Sequence, residues 1–154
     1  MALLSGQRQS LKGLMRMANE FQIFPIGTVE KQKDTVAIAV NKKYKDALLG
    51  LDQFSHIIVS CWFHESDSPK KRNVLQVHPR GNSKNPLTGV FATRSPRRPN
   101  PIAISTCKIL SIYGNIIYID KIDAFDRTPV IDIKPFIPST DLISEIRVPG
   151  WVGK

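Results

Sequence analysis

The run Phe54–His64, FSHIIVSCWFH, constrains the fold more than any other stretch of the chain. β-branched and aromatic residues dominate it, which suits a pleated strand better than a helix. No run of 18 apolar residues occurs anywhere, so no segment is read as spanning a membrane. The run is therefore expected to be a central strand, covered on both faces.

Shorter strands flank it. Phe24–Val29 reads as a first strand, and Val36, Ile38 and Val40 alternate with smaller residues in a second. Tyr44, Ala47, Leu48 and Leu51 recur at helical spacing, which predicts a short helix over 43–51. Val74–His78 and Gly89–Thr93 are read as brief strands. Ile102, Ile104, Thr106, Lys108, Leu110 and Ile112 share one face of a long strand, which Tyr113-Gly114-Asn115 turns into a partner over Ile116–Ile122. Val130–Phe136 is the last. Six or seven strands with short turns and one or two short helices predict a mainly β chain, a single small β-barrel over residues 21–154. Residues 1–20 are set apart as an N-terminal extension, helical or loose, with Leu11, Leu14, Met15 and Ala18 at helical spacing and no export-type apolar core.

Composition narrows the partners. The chain has 154 residues, about one domain. Its 22 Lys and Arg exceed its 13 Asp and Glu, giving a formal charge of +9. That balance attracts polyanions, nucleic acid first among them, although a merely soluble basic protein has the same composition. The two cysteines, Cys61 and Cys107, lie in apolar runs and are expected to be reduced and buried, not disulfide-bonded or bound to metal. Few cysteines and no export signal point to the cytoplasm. No G-x-G-x-x-G, P-loop, H-E-x-x-H or G-x-S-x-G occurs, so Rossmann, P-loop and zinc-hydrolase chemistry have no support.

Four segments are candidates for chemistry. In Gly89–Ser105, GVFATRSPRRPNPIAIS, Arg94, Arg97 and Arg98 precede Pro99-Asn100-Pro101. Proline stiffens the backbone at Arg98 and Asn100, so the loop is either a ready-made carboxylate or phosphate fork or a solvated basic turn. In Asp123–Pro135, DAFDRTPVIDIKP, Asp123 and Asp126 suit ribose hydroxyls or an ammonium, or else tie down a turn. Asp132 and Lys134 fall on one strand face, as an ion pair would. His64-Glu65 ends the long apolar strand, where a histidine is commonly structural. Lys70-Lys71-Arg72 is a solvated loop or a grip on phosphates.

Taken together, these segments resemble one family. GVFATRSPRRPNPIAIS is similar to the GVFATR-S-x-x-RPNPIG stretch of the TrmO (TsaA-like) family, LDQFSHIIVSCWFH to its L-x-x-FSHL-x-x-x-x-WFH strand, and DAFDRTPVIDIKPF to its D-x-x-DGTP-x-x-DIKPY. IRVPGWV is like the tail of its minimal members, and the resemblance runs from about Phe24 to Val152. It implies a β-barrel homodimer that binds S-adenosylmethionine and methylates N6 of threonylcarbamoyladenosine beside the tRNA anticodon. The implied cofactor contacts are His64, Glu65, Arg94, Thr106, Asp123, Ala124, Phe125 and Asp126. With the family in view, Arg97, Arg98, Asn100, Lys70, Lys71 and Arg72 are assigned to tRNA. The acceptor nitrogen must lose a proton, to Asp126 or to water.

Three departures accompany the resemblance. The family's S-P-Y-K…P-R-Q segment is absent, and GTVEKQKDTVAIAV keeps only Lys31-Gln32 as an echo of it. Its GTP is here Arg127-Thr128-Pro129, and its RPNPIG ends here in Ala103. Two alternatives to the enzyme therefore stand: a catalytically idle RNA-binding barrel, and a methyltransferase with another small or nucleotide-like acceptor.

Overall fold

Alternation of buried and outward residues sets the architecture. In β3 (His56–Trp62), Ile57, Val59 and Cys61 are buried while the residues between them are half-buried. The strand is thus covered fully on one face only, not on both as its apolar run suggested, because a barrel wall has a single packed side. The computed structural model describes residues 20–153, so all but Glu20 of the N-terminal extension lies outside the described residues.

Six strands close a barrel: β1 (Gly27–Gln32), β2 (Thr35–Val40), β7 (Ile116–Ile119), β6 (Ile102–Tyr113), β3 and β8 (Pro129–Pro135), in that order around the wall. Every neighbouring pair is antiparallel. The interior holds Val29, Ile38, Ile57, Val59, Ile117, Ile119 and Val130, each at 0 or 1% exposure. Gly27 is required where β1 meets β2, since a Cβ there would lie 2.3 Å from the Ala39 carbonyl oxygen. The β6–β7 hairpin turns at Gly114-Asn115 as expected, with Gly114 at φ 62°.

β6 gives its shared face a direction, with Ile112 leaving that face to pack against the core. Ile102, Ile104 and Leu110 do share a face, but that face points outward, 39–60% exposed. Ala103 and Cys107 point inward. The two-residue period specifies alternation but not which face turns inward.

Two further expectations change. β1 begins at Gly27 and runs to Gln32, beyond the expected 24–29. The helix over 43–51 is a 3₁₀ turn at Lys42–Leu48, and Gly50 at φ 81° starts a second over Leu51–Gln53. Outside the barrel, β4 (Gln76–Val77) pairs with β5 (Thr88–Gly89) in a separate two-stranded sheet. Residues Val90–Ala92 form a 3₁₀ turn, so the strand expected over 89–93 survives only at its first residue. Among the described residues there are two single-turn α-helices, α1 (Pro69–Arg72) and α2 (Pro138–Asp141). Ser68 caps α1 by accepting the Lys71 amide. Among the described residues no helix is long and apolar enough to cross a membrane.

Candidate cofactor cleft

At the end of the barrel where β3 stops and β6 begins, a cleft of about 620 Å³ opens. Its walls come from three separate segments. Phe63 follows β3, while Thr93, Arg94 and Arg98 belong to the loop entering β6. Ile102–Thr106 is the first half of β6, and Lys121, Ile122 and Asp123 follow β7. The volume falls in the range of small-molecule sites.

Of the residues nominated from the sequence, Arg94, Arg98, Thr106 and Asp123 line this cleft together. The Arg94 guanidinium and the Asp123 carboxylate make no hydrogen bond or ion pair among the described residues. They are a cation and an anion left available in one concavity. Arg98, by contrast, donates from one guanidinium nitrogen to the Thr93 and Ser95 carbonyls at 3.1 and 3.3 Å. It shapes the loop that presents Arg94.

Asp126 lies outside the lining. Its Oδ1 accepts the backbone N–H of Lys31 at 2.8 Å, and the Lys31 ammonium donates to the Ile122 carbonyl at 3.1 Å. The segment following Asp123 is thus tied to β1. Ala124 is buried in the core, which leaves only its backbone for a ligand, and Phe125 is 66% exposed. His64 and Glu65 sit on an exposed 3₁₀ turn directly after β3.

The basic run behaves residue by residue. Arg72 donates through Nε to the Pro99 carbonyl at 2.7 Å, and its two terminal nitrogens reach Asp67 and Asn100 at 3.3 Å. Its guanidinium lies 5.8 Å from the centroid of the Trp62 ring, whose indole N–H donates to Asp67 at 2.9 Å. This is a clasp that holds the Pro99-Asn100-Pro101 segment against the end of β3. Lys71 donates to the Glu65 carbonyl. Lys70 and Arg97 are exposed. Asp132 and Lys134 form the expected ion pair at 2.7 Å, on the surface.

Sequence reasoning missed Phe63, Lys121 and Ile122 as cleft residues. Each adjoins a nominated motif, so the signal was adjacency to His64 and Asp123. Both cysteines are free and buried. Burial pushes the Cys61 thiol up to about 11, and burial, then Asp120 and Cys61, push Cys107 up to about 12. Neither is a nucleophile at neutral pH. Among the described residues no group of three or more His, Cys, Asp or Glu could hold a metal ion.

Comparison with known proteins places this cleft in context. The probable S-adenosyl-L-methionine-binding protein of Methanocaldococcus jannaschii is 50% identical over 121 residues, covering 79% of this chain and 96% of that protein. The human tRNA (adenine(37)-N6)-methyltransferase is 40% identical over 103 residues, 67% of this chain and 23% of that protein. A crystal structure of TrmO from Pseudomonas aeruginosa superposes with a TM-score of 0.64 at 26% identity, covering 83% of this chain and 61% of that one. This chain therefore spans about three-fifths of the solved chain. Residues 17–142 match the family described as tRNA-methyltransferase O N-terminal domain. The chain belongs to the tRNA-methyltransferase O N-terminal-domain family.

Proposed function

We propose that this protein is an S-adenosylmethionine-dependent methyltransferase that modifies N6 of threonylcarbamoyladenosine beside the anticodon of tRNA. The observation that carries the reading is that Arg94 and Asp123, neither with a partner among the described residues, line one cleft of a chain from this family. The donor set fits the cofactor. Arg94 offers a fork for the methionyl carboxylate, and Asp123 accepts from the amino group or a ribose hydroxyl. Ile102 and Ile104 add apolar wall. His64, Glu65, Thr106, Ala124 and Phe125 complete the proposed contacts, Ala124 through its backbone.

When bound, the cofactor supplies an electrophilic methyl group and a neutral leaving thioether. The protein's work is then alignment and proton removal. Arg94 would hold the methionyl carboxylate and Asp123 the amino group or a ribose hydroxyl, which would orient the donor for in-line transfer. The acceptor nitrogen is weakened by its carbamoyl group and loses its proton during transfer. Asp126 or a water takes it. Arg97, Arg98, Asn100 and the Lys70-Lys71-Arg72 run are assigned to the tRNA, with Asn100 and Arg72 acting through the clasp and Lys70 and Arg97 reaching phosphates. We further propose a homodimer, since Leu110 and Tyr113 of β6, outside the cleft lining, leave apolar surface exposed. A cytoplasmic location goes with the substrate.

One observation favours a second reading. β1 and β2 join directly through Lys33-Asp34, without the longer segment that the family pattern carries after its first strand. An idle RNA-binding barrel, or a methyltransferase with a different acceptor, is consistent with that shortening. Nucleosides from tRNA of a strain lacking the protein separate these readings. The N6-methylated form is expected to disappear and its unmethylated precursor to accumulate. Unchanged nucleosides contradict the assigned acceptor.

A further inference from the structure

Between Ser68 and Ile119 the chain holds nine Lys and Arg and no Asp or Glu. Taking those nine from the total of 22 leaves thirteen cations against thirteen acids elsewhere. The whole formal charge of +9 therefore belongs to one stretch. It comprises α1, the β4–β5 arm, the arginine-bearing cleft wall and the β6–β7 hairpin.

The arm also exposes apolar side chains that the barrel does not cover. Leu75, Leu87 and Phe91 are 63, 58 and 80% exposed. The backbone on either side of Phe91 is held in place. Val90 before it is 2% exposed and donates its N–H to the Leu75 carbonyl at 2.9 Å. Thr93 after it donates to the Val90 carbonyl from both its N–H, at 3.2 Å, and its hydroxyl, at 3.0 Å. Thr93 and Arg94 already line the cleft. A phenyl ring is thus left in water on a pinned turn, two residues from the cleft wall.

We propose that the β4–β5 arm is the docking surface for the unpaired loop of an RNA, with Phe91 as the platform on which one exposed base stacks. The inference rests on the RNA-methyltransferase reading and adds a surface and a residue to it. An enzyme that works on a base atom needs that base out of its stack, and an aromatic ring replaces the stacking it loses. Lys84 and Arg97 meet the phosphates on either side. A single-stranded nucleic acid supplies both features the arm calls for, uniform negative charge and flat apolar faces. Because the turn is already fixed, little order is imposed on Phe91 when the base arrives.

The test compares Phe91→Ala, Phe91→Trp and wild type, as full chains without cofactor, on an anticodon stem-loop RNA and on a fully paired RNA duplex of the same length. Phe91→Ala is expected to bind the stem-loop about 10-fold more weakly, within the range for loss of one base–aromatic stack. Phe91→Trp keeps wild-type affinity, and the duplex binds all three proteins equally. An unchanged stem-loop affinity in Phe91→Ala overturns the proposal. So does an equal loss on stem-loop and duplex, or a halved mass in light scattering, which would place Phe91 between two copies of the chain. A titration of S-adenosylmethionine that gives no heat on wild type sinks the methyltransferase reading and leaves this comparison intact.

Discussion

Asp126 and Lys31 close the barrel where its backbone ladder runs out. β1 pairs with β8 only at Gly27↔Val130 and Thr28↔Pro129. Val29 then bonds Thr128 and Arg127 at 2.9 and 2.7 Å, and beyond them the Asp126 carboxylate takes the Lys31 N–H. Arg127 turns the chain at φ 63°, where the family pattern has glycine. An asparagine at 126 keeps an oxygen for the Lys31 amide. Asp126→Asn is therefore expected to leave cofactor affinity unchanged and to lower turnover by about 100-fold if Asp126 takes the proton. Affinity and turnover efficiency falling together would make Asp126 a cofactor ligand instead. Calorimetry alongside initial rates distinguishes the two.

Arg94 has no partner to lose among the described residues, so its truncation is expected to spare the fold. Arg94→Ala is expected to weaken S-adenosylmethionine binding by about 1.5–3 kcal/mol, the range for a hydrogen bond to a charged group. The melting temperature without cofactor should stay within about one degree of wild type. A stable variant with full affinity removes Arg94 from the site.

Arg72 and its neighbours in the basic run should separate by experiment. Arg72→Ala breaks the clasp to Pro99, Asn100 and Asp67 and is expected to cost about 1–2 kcal/mol of stability, visible as a lower denaturant midpoint. Arg72→Lys does not restore it, because one ammonium cannot serve three acceptors arranged for a guanidinium. Lys70→Ser and Arg97→Ser should leave stability alone. Each should flatten the dependence of log K for tRNA on log salt by about 1, since one fewer phosphate is neutralised. An unchanged slope makes both solvated side chains.

The buried thiols set an alkaline limit. The unfolded chain ionises its cysteines near 9, whereas burial holds Cys61 and Cys107 protonated to about 11 and 12. The native state thus keeps protons that the unfolded state has released. The stabilisation is fully present below pH 9 and declines as pH rises through the folded values, by at most about 1.4 kcal/mol per thiol per pH unit. A thiol reagent at pH 8 should find neither cysteine in the native protein and both after unfolding. Stoichiometric reaction with the native protein contradicts this account of the core.

The barrel was legible because its strands alternate cleanly, as at Val36-Ile38-Val40 and across the Gly114 hairpin. What alternation could not convey was direction. Ile102 and Ile104 face out while Ala103 and Cys107 face in, a choice of face that no two-residue period contains. The Gly89–Thr93 segment misled for a related reason. Its β-formers are local, but Val90 is pulled toward Leu75 and the chain curls into a turn. In the cleft, Arg94, Arg98 and Asp123 were identified because each lies in a dense motif, and Thr106 because the family resemblance implied it. The clasp role of Arg72 was hidden, since its partners at 99 and 100 are 27 and 28 residues away.

The central claim is methyl transfer to one nitrogen of one modified adenosine. The most direct measurement incubates the protein with S-adenosylmethionine labelled in its methyl group and tRNA carrying threonylcarbamoyladenosine, then digests the tRNA to nucleosides. The account predicts label on N6 of that nucleoside alone, and none on tRNA lacking the threonylcarbamoyl group. Label on another nucleoside, or no transfer with cofactor demonstrably bound, would contradict it.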